Sequence, residues 1–149
     1  DVMGRAGRRA ITENLARLRR DWKLDFVVVN GENATGGMGL SGAHAKTLLD
    51  AGADCLTLGD HAFDQKDMLS FIEQEPRVIR PLNFSKSAPG KGAKLFTAQN
   101  GKKVLVTQAL GQGARQRHAG RLFVGTNHSR VREAVRQNKK AGCVNSRLR

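Results

Sequence analysis

Two short apolar runs stand out along the chain because neither alternates cleanly with polar residues. Phe26-Val27-Val28-Val29 and Cys55-Leu56-Thr57-Leu58 are β-branched or leucine-rich, and each stops abruptly at a polar stretch containing a glycine. The first stops at Asn30-Gly31-Glu32-Asn33 and the second at Gly59-Asp60-His61. A run without alternation suits a strand buried on both faces, as in a parallel sheet. The polar residues then fall just past the carboxyl ends of two strands, where open α/β sheets place their ligands.

The remaining elements follow from periodicity and punctuation. Asp1 to Gly7 reads as a loop, and a domain opening on an acid and a glycine-rich turn is expected to lack its first strand. Arg8–Arg20 is amphipathic, with Ile11, Leu15 and Leu18 at helical spacing. Asn30–Gly39 is a glycine-rich loop. Ser41 suits the N-cap of a helix through Ala51, with Ala45, Leu48 and Leu49 inward and Gly52 at its end. A loop over Gly59–Gln65 leads to a helix from about Lys66 to Gln74, stopped by Pro76. Helix and strand thus alternate as in βαβ units, which predicts an α/β fold with a mostly parallel sheet. Val78–Phe84 reads as a strand broken by Pro81, suited to an edge or to a crossing over the sheet. Lys94–Thr97 and Lys103–Leu110 flank Asn100-Gly101, a strong hairpin signal.

After Gln112 this grammar fails. Arg121–Thr126 reads as a weak strand and Arg130–Lys140 as a short basic helix, neither with flanking partners. Charge marks the same boundary. The net charge of +13 divides into 16 basic against 12 acidic residues over 1–112, and 10 basic against one acidic residue, Glu133, over 113–149. A nucleic-acid signature in the overall charge is therefore confined to the tail. Residues 1–112 are expected to form one partial domain. Residues 113–149 are expected to be an aberrant, frame-shifted or disordered basic tail, since an acid-poor segment without apolar periodicity cannot offset its ordering entropy.

No apolar run approaches the ~20 residues that span a bilayer. Cys55 in a strand and Cys143 in the tail make neither a disulfide framework nor a zinc motif, so a reduced, cytoplasmic setting is expected, with no membrane partner.

The residues able to carry chemistry are Asp1, Glu32, Asn33, Asp60 and His61. Carboxylates, an amide oxygen and an imidazole at neighbouring strand ends are a donor set for a dinuclear site of manganese, iron or zinc. Glu32 and Asn33 could equally cap the next helix or satisfy a tight turn, and both readings stay open at this point. For Gly-Asp-His the metal or acid–base reading is favoured, because an imidazole there is poorly placed for core packing. His44, among alanines on a helix, reads as solvent-facing or structural. Gly31–Gly39 lacks the Gly-Lys-Ser/Thr ending of a P-loop and suits close turning of the backbone instead.

Several stretches together resemble the YmdB-like branch of the calcineurin-like metallophosphoesterases. They are Asp1-Val-Met-Gly-Arg-Ala-Gly-Arg8, Leu24-Asp-Phe-Val-Val-Val-Asn-Gly-Glu-Asn-Ala34 with Gly36-Gly37, Ala51-Gly-Ala-Asp54 and Gly59-Asp-His-Ala-Phe-Asp-Gln65. Arg80-Pro-Leu-Asn83, Pro89-Gly90 and Val104-Leu-Val106 continue the likeness, which covers roughly residues 1–112.

The resemblance implies the N-terminal part of a metallophosphoesterase α/β sandwich. It also implies a phosphodiesterase with two divalent or trivalent metal ions, iron or manganese ahead of zinc, acting on small phosphodiesters such as 2′,3′-cyclic nucleotides. Carried over by motif, the metal ligands fall on Asp1, Glu32, Asn33 and Asp60, and the proton donor to the leaving oxygen on His61. The sequence departs from the family where Gly-Asn-His has become Gly-Asp-His, and where later histidine ligands find no counterpart in the tail. Weak or absent activity of this chain is therefore expected, with a folded, inert remnant as one alternative. The other is a nucleic-acid-binding module through 113–149, although Phe123 is the only aromatic there to stack on bases. A homo-oligomer stays open.

Overall fold

The structure, a computed structural model, describes residues 1–111. The expected strand Arg121–Thr126, the helix Arg130–Lys140 and the tail 113–149 lie outside those residues.

The chain forms helix α1 (Gly4–Asp21), strand β1 (Val28–Asn30), helix α2 (Gly42–Asp50) and strand β2 (Cys55–Thr57). Helix α3 (Met68–Gln74), strand β3 (Val78–Ile79), and strands β4 (Ala93–Thr97) and β5 (Lys103–Thr107) follow. Strands β1, β2 and β3 make a parallel sheet in that order, and β4 and β5 make a separate antiparallel hairpin. This is the α/β architecture with a parallel sheet that the alternation of elements predicts.

Register explains how the two faces differ. Val29, Leu56 and Val78 lie side by side across the three strands. They join Leu15 of α1, Leu48 and Leu49 of α2, and Met68 and Ile72 of α3 in the larger core. Successive strand residues point to opposite faces, so Cys55 and Ile79 face the other way and meet Phe26, Phe96, Val104 and Val106 beneath the hairpin. The helices cover one face and the hairpin covers the other. Burial on both sides pushes the Cys55 thiol up to about 12.

Five expectations needed correction. Strand β3 stops at Ile79, well short of Phe84. Strand β1 starts at Val28, because the Val27 N–H is taken by the Asp54 carboxylate at 2.7 Å instead of a neighbouring strand. Nor is β1 buried on both faces: Val28 is 45% exposed, on the sheet face where the hairpin lies. The first turn of α1 is Gly4–Gly7, which read as a loop. Tertiary contacts supply what those glycines lack in propensity: Gly4 N–H donates to Asn33 O at 2.9 Å, and Gly7 sits against Val2. Last, β5 ends at Thr107, three residues short of Leu110.

Helix α2 matches expectation closely. Ser41 is its N-cap, accepting from His44 N–H, and Gly52 leaves the helix with φ +113°. Asp67 adds a second cap from outside, accepting the Gly42 N–H at 2.8 Å. Arg19 pins the end of α1 to the turn after α2 through Gly52 O at 2.6 Å and the Asp54 carboxylate at 2.9 Å. Among the described residues, no helix is long and apolar enough to cross a membrane.

Candidate metal centre

Parallel pairing aligns Asn30 with Thr57, so the polar stretches after β1 and β2 emerge side by side. Gly31 N–H reaches Thr57 O at 3.1 Å, which carries the pairing one residue further before the chains turn. Glu32 N–H then donates to the Asn30 side chain at 3.0 Å, closing a tight turn. The cap of α2 is Ser41, so neither Glu32 nor Asn33 caps that helix.

The Glu32 side chain crosses to the β2 end. Its carboxylate accepts the His61 N–H at 3.2 Å and shares a hydrogen bond with Asp60. A Cβ on Gly59 would overlap the Glu32 carboxylate, so any side chain at that position would displace the carboxylate from its place. Burial, first, and then the hydrogen bond and charge of Asp60 raise the Glu32 pKa above the ordinary carboxylate value. Two carboxylates this close cannot both ionise cheaply, and one proton between them relieves the repulsion.

Asp1 and Asn33 form a second pair. The Asn33 amide donates to the Asp1 carboxylate at 2.7 Å. Val2 N–H bonds Asn30 O and Gly4 N–H bonds Asn33 O, both at 2.9 Å, which fixes the opening segment against the β1 turn.

His61 is held by a residue that the sequence reading did not single out. Its Nδ1 lies 2.6 Å from the Asp64 carboxylate, within the same loop. That hydrogen bond, ahead of the opposing effect of burial, raises the imidazole pKa, and the charges of Asp60, Asp64 and Glu32 add to it. The available signal was the acid three residues after the histidine, a spacing that a single loop turn can close. Gly59 was the other omission, visible only once Glu32 is seen to cross the turn.

The glycine-rich loop joins the two halves. Gln65 donates to Met38 O at 2.8 Å, and Gly39 lies against His61 O and Asp64. Thr35 braces its base through Ser41 N–H at 2.9 Å and His44 Nδ1 at 2.8 Å. His44 is thus structural, one of the two readings its sequence context allowed.

Carboxylate and amide oxygens beside an imidazole suit a hard or borderline cation in kind. In number they are sparse. Among the described residues, no three His, Cys, Asp or Glu side chains converge as a metal site. The structure therefore brings together Glu32 with Asp60, Asp1 with Asn33, and His61 with Asp64, rather than one closed cluster.

The sequence model of the YmdB-like proteins matches residues 1–144. The chain belongs to the YmdB-like family. Its family match runs past residue 112, whereas the aligned stretch shared with a curated relative is 112 residues long. That YmdB-like relative is the 2′,3′-cyclic-nucleotide 2′-phosphodiesterase of Bacillus subtilis, 38% identical over 75% of this chain and 42% of its own length. Among solved structures, a novel phosphatase from Mycoplasma pneumoniae superposes with a TM-score of 0.77 at 32% identity, over 92% of this chain and 48% of that one. A hypothetical protein from Thermus thermophilus gives a TM-score of 0.71 at 35% identity, over 78% of this chain and 44% of that one. The chain spans less than half the length of each of these relatives.

Proposed function

We propose that this chain carries the metal-binding edge of a phosphodiesterase that hydrolyses small phosphodiesters such as 2′,3′-cyclic nucleotides. The observation that carries the reading is the Glu32–Asp60 pair, two carboxylates held together at adjacent strand ends with His61 beside them. Repulsion between such groups is what a bound cation relieves. The curated relative's substrate supports the choice of ester.

Glu32 and Asp60 would hold one cation, manganese, iron or zinc, and Asp1 with Asn33 would contribute to a second. Divalent metal, when bound, lowers the pKa of water and stabilises charge growing on phosphorus. The protein's own groups do the rest. Asp64 holds the His61 ring by Nδ1, so a proton passed to substrate leaves from Nε2. As water adds to phosphorus and the P–O bond to one ribose oxygen breaks, His61 protonates the departing oxygen, giving a phosphomonoester. An imidazole raised modestly above its ordinary pKa is suited to that donation near neutral pH. The added negative charge of Asp60 tightens cation binding and softens its Lewis acidity. Together with the sparse donor set, it makes slow turnover the expectation for this chain.

The test is hydrolysis of 2′,3′-cyclic AMP by the purified chain with Mn²⁺. Slow turnover abolished by chelation and by His61→Ala is the expected result. Turnover indifferent to both, or none above background at high protein concentration, would contradict the proposal for this chain.

A further inference from the structure

Five large apolar side chains are exposed among the described residues, and two of them, Met3 and Met38, flank the candidate centre. Met3 is 55% and Met38 56% exposed. They are distant in sequence but near in the fold: a Cβ on Gly37 would stand 3.5 Å from the Met3 sulfur, and Met38 is the next residue along the chain. Met3 lies between Asp1, which bonds Asn33, and Gly4, whose N–H bonds Asn33 O. The Met38 carbonyl accepts from Gln65, in the loop that carries His61 and Asp64. The two methionines therefore occupy backbone positions between the Asp1–Asn33 pair and the His61–Asp64 pair.

Their exposure is built in. Gly36, Gly37 and Gly39 all have positive φ, at 62°, 87° and 78°, a conformation that costs side-chain-bearing residues strain. The loop closes on itself through Thr35 N–H to Gly39 O at 2.9 Å and Met38 N–H to Thr35 O at 3.1 Å, and Thr35 is tied to Ser41 and His44. A braced loop that holds an apolar side chain in water beside a second one is a surface prepared for an apolar group. Thioethers are polarizable, adapt to flat rings and make favourable sulfur–aromatic contacts.

We infer that Met3 and Met38 form the resting surface for the heteroaromatic base of a 2′,3′-cyclic mononucleotide, so that they select nucleotides over baseless phosphodiesters. The inference rests on the phosphodiesterase reading above, which places the phosphate at the carboxylates and the imidazole. The glycine loop touches the His61–Asp64 loop directly, through Gln65 to Met38 O and Gly39 against His61 O, so it borders the site where that phosphate would sit. The two thioethers would take the base by its apolar face, so purines and pyrimidines are both accommodated, with the larger ring held more tightly.

The chain's three methionines make the test internal, because Met68 is fully buried in the core. The chain, labelled with ¹³C at the methionine methyl groups, is titrated with 2′,3′-cyclic AMP and separately with ribose 2′,3′-cyclic phosphate, in the presence of diamagnetic Zn²⁺. The phosphorus resonance of each ligand reports binding of the phosphate core. The inference predicts upfield ring-current shifts of the Met3 and Met38 methyls with the nucleotide only, and a stationary Met68. It also predicts that Met3→Ser and Met38→Ser each weaken nucleotide affinity by about 2- to 10-fold while leaving the baseless ligand's affinity unchanged. Binding of both ligands with unmoved Met3 and Met38 methyls, or equal losses for both ligands in the serine variants, overturns the inference and leaves the phosphodiesterase reading standing. If neither ligand binds, both fall.

Discussion

The carboxylate of Glu32 lies across the backbone of Gly59, in the space that a Cβ on residue 59 would fill. This relationship sets the path of the Glu32 side chain, which reaches Asp60 and the His61 N–H by passing over a residue without a side chain. Gly59→Ala must push Glu32 aside or shift the turn. Because only the tip of a flexible side chain is displaced, the cost in stability should stay below the roughly 1–3 kcal/mol of overpacking a core. Metal affinity should fall, since the carboxylate leaves Asp60, and calorimetric titration of Mn²⁺ measures that loss. An alanine variant as stable as the parent, with unchanged metal binding, would show that Glu32 does not occupy this position.

Asp60→Asn should have opposite effects on the metal-free fold and on metal binding. In the metal-free chain burial and then Asp60 raise the Glu32 pKa, so between the ordinary and the raised value the folded state holds a proton that the unfolded state has released. Where the folded state binds more protons, stability falls as pH rises. The penalty grows as pH rises from the ordinary carboxylate value through the raised one, and it persists at neutral pH. Removing the neighbouring charge should therefore stabilise the metal-free chain at pH 7 relative to pH 4, while weakening its hold on cations. Urea denaturation at both pH values, with and without Mn²⁺, measures the two signs together.

Asp64→Asn should lower the pKa of His61 towards its ordinary value, since the carboxylate bond is the largest influence raising it. The sign for stability follows. The contact contributes fully below the unfolded histidine pKa and is lost as pH rises through the higher folded value. An NMR titration of the His61 ring in parent and variant gives the answer directly. Identical midpoints would mean that Asp64 does not hold the ring in solution.

How far the sequence could be read depended on where the deciding contacts were local. Strand β2 was legible because Cys55, Leu56 and Thr57 are buried without alternation, and α2 because Ser41 and Gly52 act within a few residues of it. The opening of α1 was not legible. Its glycines are weak helix formers and owe their helical turn to Asn33 and Val2, contacts made only in the fold. Val28 looked like core by composition, yet its exposure depends on how far the hairpin extends over that face. In the candidate centre, Glu32 and Asp60 were found from their places at strand ends. The dependence of Glu32 on Gly59 is a matter of side-chain direction, which spacing does not encode.

The most direct measurement of the central proposal, that Glu32 and Asp60 together hold a cation, is calorimetric titration of Mn²⁺ into the parent chain and into Glu32→Gln. A cation held between the two carboxylates competes with protonation of Glu32, so at acidic pH, where that raised group still holds its proton, the parent should bind with a heat that varies with buffer ionisation enthalpy, at modest affinity. Losing the carboxylate should weaken binding by at least about tenfold, as ligand and outer-shell changes at metal sites commonly do, and should remove the proton release. Equal affinity in the two proteins, with no dependence on buffer, would contradict the proposal.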